Sequence, residues 1–287
     1  MKRTKAILIA ASLSIAFAYA FAPPVDDLGV IKTFGSSCWG DYSIGLTFSA
    51  SSVNVKAIGD GEIFFISRAE NDPEGLPSTL GAYTAVVHKG DIVSLYPYLQ
   101  NYGRRVSPVL LKEGESVGIS GGEGLAATNG TSIVLFDIRK RRFVNPVSLF
   151  PELPDAIPPS ARAIKFVSAA GAWALGEGKR IPQGTYDLVA EIGDSALEGS
   201  GFSSAPFSIE FTIDGVRKGQ FVFDAAESLD GRRSMFDPSR GASEFWAEDG
   251  HCTLGTFLLA RGSHELWLSI KDFAGNEKTL TLGFVVE

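Results

Sequence analysis

Apolar residues in this chain recur in short runs rather than at helical spacing, and that pattern most constrains its fold. The runs are rich in Val, Ile, Phe and Thr and are separated by Gly, Asp, Asn and Pro, as strands joined by turns should be. In the first half they fall at residues 53–57, 62–67, 83–88, 92–98 and 132–138. The pair Asp60-Gly61 between two of them reads as a tight hairpin turn. Residues 150–160, FPELPDAIPPS, hold four prolines. Proline fixes φ and removes a backbone donor, so this stretch reads as an extended, stiff linker. Beyond it, runs at 163–167, 184–192, 207–213, 219–223, 255–259, 264–270 and 279–286 predict an antiparallel sandwich of about seven strands. The expected class is all-β, and 287 residues are enough for two ordinary cores.

The first twenty residues read as a secretory signal. Lys2, Arg3 and Lys5 precede an apolar core at 6–18, and Ala18-Tyr19-Ala20 supplies a small-x-small cleavage pattern. A cut after Ala22 is disfavoured because Pro23 would stand at the scissile bond. An uncleaved anchor is the alternative, although the run falls short of the ~20 residues a span needs. Cleavage after Ala20 takes the formal net charge from −7 to −10. So acidic a chain lacks the footprint of a nucleic-acid binder, and the basic run Arg139–Arg142 reads as a solvated turn. The expected location is the periplasm or cell envelope, with membrane contact only through the export signal. Cys38 and Cys252 either form the one available disulfide or pack as separate thiols.

Residues 40–151 resemble an M23 (LytM/lysostaphin-like) peptidase domain in four motifs taken in order. Residues 55–63, VKAIGDGEI, resemble its V-x-A-x-x-D-G-x-V segment, and residues 86–90, VVHKG, its I-x-H-x-x-G strand. Residues 94–99, SLYPYL, resemble T-x-Y-x-H-L. Residues 114–118 with Gly121, then 133–138 (IVLFDI) and Asn145-Pro146, resemble the G-x-x-V-G-x-x-G turn, the HxHFEI strand and the closing Asn-Pro. The resemblance implies a LytM-like antiparallel sheet, barrel-like in shape, over 21–151. A linker at 152–160 then leads to the second unit at 161–287. That unit resembles bacterial Ig-like β-sandwiches, most specifically at 271–276, KDFAGN, near their D-x-A-G-N turn. Asp272 and Asn276 lack a ligand series for calcium and read as an Asx-bonded turn.

Active members of the M23 family hold zinc through the His and Asp of an early H-x-G-x-D and the second His of HxH. In this sequence those positions fall on Ser43, Thr47 and Leu135, with Ile133 at the first His of HxH. Tyr98 stands at the assisting His of Y-x-H-L. Leucine and isoleucine have no lone pair for a metal, and neutral hydroxyls are poor zinc ligands. Beyond the signal the histidines are His88, His251 and His264, the last two in the second unit, so a replacement cluster is hard to assemble. A lone strand histidine such as His88 reads as structural, bonded to a backbone or hydroxyl partner. Cys38 has no signature of an activated thiolate, and the glycines at 121–124 lack the Lys-Ser/Thr of a phosphate loop.

The expectation is therefore a pseudo-peptidase without cofactor. The resemblance implies a regulator or scaffold of peptidoglycan hydrolysis, with a cell-wall amidase or other envelope hydrolase as partner. The alternatives are a module that binds peptidoglycan itself and an active zinc endopeptidase with unusual ligands. Candidate groove contacts are Tyr42, His88, Tyr98, Tyr102, Arg104 and Arg105, since aromatic and Arg side chains anchor interfaces.

Overall fold

The computed structural model of the protein describes residues 21–38, 41–67, 80–101, 109–121, 130–150, 153, 155–176, 178–194, 204–229, 232–236, 241–247 and 251–287. The first half contributes β1 (Val30–Lys32), β2 (Ser37–Cys38), β3 (Asp41–Tyr42), β4 (Gly45–Phe48), β5 (Asn54–Lys56), β6 (Gly61–Ser67) and β7 (Ala82–His88). It continues with β8 (Ile92–Asn101), β9 (Val109–Leu111), β10 (Ser116–Ser120), β11 (Thr131–Asp137), β12 (Arg142–Val144) and a 3-10 turn at Pro146–Ser148. The second half supplies β13 (Ser160–Ser168), β14 (Gly171–Ala174), β15 (Arg180–Ile181), β16 (Gly184–Gly193), β17 (Ser208–Ile213) and β18 (Val216–Val222). After them come β19 (Ala225–Leu229), β20 (Arg232–Ser234), the short helix α1 (Ala242–Phe245), β21 (His251–Leu259), β22 (Gly262–Lys271) and β23 (Glu277–Val286). The all-β expectation holds.

The large sheet runs β20-β19-β12-β11-β8-β7-β6-β9, with β4 on β11 and β10 joining β8 to β5. Side chains alternate between the two faces of each strand. Val86, Tyr96, Ile133, Leu135, Leu46 and Phe48 thus point inward to one apolar core with Val55 and Ile58. Each such side chain contributes about 1.5–3 kcal/mol by leaving water.

One local expectation is corrected. Asp60-Gly61 does not close a hairpin, because β5 pairs with β10 while β6 pairs with β7 and β9. Gly61 serves close packing instead, since a Cβ there would lie 2.6 Å from Val86 Cγ1. The Asp60 carboxylate accepts from Lys112 Nζ (2.8 Å) and Glu113 N (3.0 Å), tying this corner to the chain after β9. The bond from Lys112 is the chief reason the Asp60 carboxyl sits below its ordinary range.

In the second half, β14-β13-β16-β21 and β15-β23-β22-β17-β18 form two sheets. Their facing residues share a core that includes Phe166, Leu188, Phe211 and Leu268. Phe166 meets Phe284 across it at 5.3 Å, and Phe211 meets Phe257 at 5.9 Å. All described pairings in these two sheets are antiparallel except β15 on β23.

The two halves are joined by far more than the proline-rich stretch. Strand β12 pairs with β19, so the large sheet takes strands from both sides of that stretch. Phe34 and Tyr42, from the first half, are wholly buried in the core of the second. Trp246 Nε1 donates to Gly35 O (2.9 Å), Thr33 Oγ1 to Ala205 O (2.6 Å), and Ala205 N to Ser36 Oγ (2.9 Å). Asn145 of the closing Asn-Pro donates through Nδ2 to Phe223 O (2.7 Å), and its backbone N donates to Asp224 O (2.8 Å). Around residue 150 the chain itself is docked, with Phe150 and Leu153 buried in the first core.

Candidate functional site

The candidate site lies where β4 runs against β11. Their register sets Thr47 opposite Ser132, Leu46 opposite Ile133 and Gly45 opposite Val134. Directly opposed residues project to the same side of a sheet. Leu46 and Ile133 therefore share the inner face, and Thr47, Ser132 and Val134 share the outer one. Contacts agree: Thr47 Oγ1 and Ser132 Oγ are 2.9 Å apart. Gly45 permits this approach, because a Cβ there would lie 2.7 Å from Ile133 O and 3.0 Å from Val134 Cγ2.

That geometry divides the expected ligand positions between the two faces. Ile133 and Leu135 are fully buried in the inner core and cannot share a metal centre with Thr47. A shift of one residue in alignment moves a strand position to the opposite face. The β11 residues that accompany Thr47 are Ser132 and Val134, which the sequence reading passed over. The signal that could have found them is parity with Gly45 and Thr47 across the pair. Ser43 belongs to the β2–β3 hairpin, where Ser43 N donates to Ser36 O and Gly35 N to Ser43 O, both at 2.8 Å.

A zinc ion does not fit this donor set. Thr47 and Ser132 are neutral hydroxyls bonded to each other, and Val134 and Gly45 have no donor atom. The outer face continues over β8, β7 and β6 through Leu95, Val93, Val87 and Phe65, with Phe136 beside them on β11. Leu95, Val93, Val87 and Phe136 are half-buried and Phe65 is exposed, its ring 5.6 Å from that of Tyr83. Chemically this face can pack against apolar groups.

His88 lies on the inner side. Its Nδ1 is 2.9 Å from Asp60 O and its Nε2 is 2.7 Å from Ser94 Oγ. Burial pushes the imidazole below its ordinary pKa, against the raising effect of the Asp60 carbonyl. Tyr96 OH accepts from Ile58 N (3.0 Å), and burial pushes its phenol up to about 12. The Ser94–His88 pair resembles a nucleophile with its base, but Ser94 is wholly buried and cannot meet a substrate.

Of the groove candidates, Tyr42 and His88 are buried, so neither is a surface contact as expected. Tyr42 is drawn inward because its hairpin inserts among Phe236 and the other aromatics of the second core. Tyr98 is half-buried at φ 60°, on a bulge of β8 against β7. Tyr102, Arg104 and Arg105 lie outside the described residues, as do the signal at 1–20 and the glycines at 122 and 124. Cys252 is buried with its sulfur 3.2 Å from Ala190 O, and the side chain of Cys38 lies outside the description.

Two polar clusters lie in the second half. Asp155, Asp194 and Asp272 bring carboxylate oxygens within 4.8 Å of one another. Asp272 accepts from Asn276 N (2.8 Å) and Nδ2 (2.7 Å), closing an Asx turn, while Asp155 Oδ1 accepts from Ile157 N (2.9 Å). Burial first, and then the Asp272 charge, raise the Asp155 carboxyl above its ordinary range. His264 Nδ1 lies 2.7 Å from Asp214 Oδ2 and Nε2 2.8 Å from Ala260 O, and the Asp214 bond raises its pKa.

A family model that carries no descriptive name matches residues 158–287. No curated protein matches the chain. Solved structures similar to it include a zinc-containing peptidase from Vibrio cholerae, at 19% identity over 47% of this chain and 41% of that one, with a TM-score of 0.38. The chain thus spans less than half the length of that peptidase. The catalytic domain of lysostaphin from Staphylococcus simulans is similar at 21% identity over 36% of this chain and 76% of its own, TM-score 0.31. A longer lysostaphin structure from the same organism is similar at 12% identity over 93% and 92%, TM-score 0.37.

Proposed function

We propose that this chain is an exported, non-catalytic M23-like protein that regulates or scaffolds peptidoglycan hydrolysis by activating a cell-wall amidase. The observation that supports the reading most is the outer face of β4 and β11. Thr47 and Ser132 bond to each other there, beside the apolar Val134. Thr47 and Val134 are themselves buried, so the packing area offered in place of a Lewis acid lies on the half-buried and exposed residues beside them. Phe65, Val87, Val93, Leu95 and Phe136 form the surface assigned to the partner. An activator works by binding the active state of its target better than the inactive one, since only differential affinity shifts an equilibrium.

The test is amidase release of soluble fragments from purified sacculi, with and without residues 21–287. Stimulation that survives a zinc chelator added to the chain beforehand, and that falls in a Leu95→Glu variant of unchanged fold, is the expected result. A chain that neither stimulates nor captures any wall amidase overturns the proposal. Fragment release by the chain alone, abolished by chelation, would instead establish a zinc peptidase.

A further inference from the structure

Two turns meet at one end of the large sheet. Strand β8 pairs with both β7 and β11, and its Ile92 stands opposite His88 on one side and Asp137 on the other. The β7–β8 and β11–β12 turns therefore lie side by side, and Ile138 N donates to Asp91 O (2.9 Å) between them. Gly90, Asp91 and Arg141 adopt left-handed φ of 85°, 63° and 53°, which closes both turns tightly. Lys89, Arg139, Lys140 and Arg141 are exposed there, and Ile138 among them is 44% exposed. The acids of the tip are Asp91, which accepts from Arg139 Nε, and Asp137, which accepts from Lys140 N (3.0 Å). Arg142 lies back from the tip, half-buried opposite Asp137 and Glu227. Toward β6, Asp60 is taken by Lys112. Cations thus outnumber acids at this tip, on a chain whose net charge beyond residue 20 is −10.

We infer that this paired turn is a docking tip for an anionic phospholipid surface, a membrane contact separate from the leader at 1–20. Ile138 enters the headgroup boundary, and Lys89, Arg139, Lys140 and Arg141 meet lipid phosphates. In sequence Arg139–Arg142 reads as a solvated turn; the structure sets Lys89 and an exposed isoleucine beside it. An anionic polymer would use the cations and gain nothing from Ile138, whereas a leaflet accepts both. The exposed Arg139–Asp91 pair is weak, so Arg139 can exchange it for a phosphate. Screening confines the attraction to about 10 Å at 0.1 M salt, so the acidic remainder of the chain is kept away and the tip leads. Each cation near such a surface strengthens partitioning roughly five-fold, about 1 kcal/mol. With Asp91 and Asp137 opposing the cations, the contact is weak and reversible, and it orients the chain without anchoring it. Outer-face side chains project across the sheet, so Phe65 and Leu95 remain free for a protein partner. The inference does not depend on the amidase role, and either can fail alone.

The experiment sediments residues 21–287, without the basic and apolar leader that would itself enter lipid, with vesicles of phosphatidylcholine alone or mixed with phosphatidylglycerol. Sedimentation with the mixed vesicles only, lost as salt is raised, is the expected result. The double variant Lys89→Gln with Lys140→Gln should bind roughly 30-fold more weakly while melting as the wild-type chain does, since both side chains are exposed. Lys140→Gln alone, roughly five-fold weaker, serves if the double variant does not accumulate. Ile138→Ser should also weaken vesicle binding. Failure to sediment with the mixed vesicles, or undiminished binding by the lysine variants, overturns the tip. Binding to soluble polyphosphate that matches vesicle binding and is unchanged in Ile138→Ser would point to an anionic polymer and overturn the lipid assignment.

Discussion

The inner and outer faces of the large sheet differ in what their side chains must satisfy. Inward, Ile133 and Leu135 are packed to zero exposure against Leu46, Val86 and Tyr96. Outward, Ser132 and Val134 meet Thr47 and Gly45, with Val134 and Thr47 also buried, while the neighbouring Leu95 and Phe136 remain half-exposed. The same strand thus carries a stability surface and a candidate binding surface, one residue out of phase. Apolar character alone does not separate them, because both faces are apolar. The partner of each position across the ladder does.

The largest expected effect compares leucines on the two faces. Leu135→Ala should cost about 2–5 kcal/mol in denaturant unfolding, because a fully buried cavity is left. Leu95→Ala should cost about 1 kcal/mol, in proportion to the smaller area it removes from water. Equal costs would break the face assignment.

A second experiment places metal-ligand side chains on each face in turn. Thr47→Asp with Ser132→His and Val134→His should take up zinc near one equivalent by metal analysis. Thr47→Asp with Ile133→His and Leu135→His should bind none and lose cooperative melting, since buried polar groups would lack partners. Zinc in the second variant and not the first would reverse the inner and outer labels.

Proton linkage sharpens the contrast between buried and surface histidines. The folded pKa of His88 is depressed by burial, so its contribution is present above the unfolded value of ~6.5 and is lost as pH falls below it. The melting gap between the wild-type chain and His88→Gln should therefore shrink as pH drops from 8 to 5. His264 has its folded pKa raised by Asp214, so its contribution is full below ~6.5 and is lost as pH rises through the folded value. The gap to His264→Gln should shrink in the opposite direction, from pH 6 to 9. Gaps that move together would contradict the opposite shifts.

The smallest effect concerns Asp155. Burial, and then the Asp272 charge, raise its pKa, so its ionised form is the costly one. Asp155→Asn should raise the melting temperature slightly at pH 7 and by less at pH 3.5, where more of the carboxyl is protonated. A lower melting temperature at pH 7 would show that the charge is needed there.

Much of the fold is legible in the residues. The predicted run at 83–88 corresponds to β7 (Ala82–His88), that at 184–192 to β16 (Gly184–Gly193) and that at 279–286 to β23 (Glu277–Val286). These succeed because dense apolar and β-branched patterning is a local signal. Short elements such as β2, β3, β15 and β20 escape notice, since two or three residues carry no period. The Asp60-Gly61 hairpin fails for another reason: a turn pair names a corner, but the strand that follows chooses its neighbour by distant packing. The motif of Tyr42 lies in the first half and suggests a groove residue, whereas its ring fills the core of the second.

The sequence by itself determined an all-β chain, most strand positions and the corner residues. Each of these depends on residue type and short-range spacing. The tertiary structure decided which face each β11 residue occupies and that the two halves share sheet and core. Those outcomes depend on pairs such as Thr47 with Ser132, 85 residues apart, and Asn145 with Phe223, 78 apart. Strand register is set by the partner's pattern and by core packing, so one strand's alternation shows that two faces exist without saying which is buried.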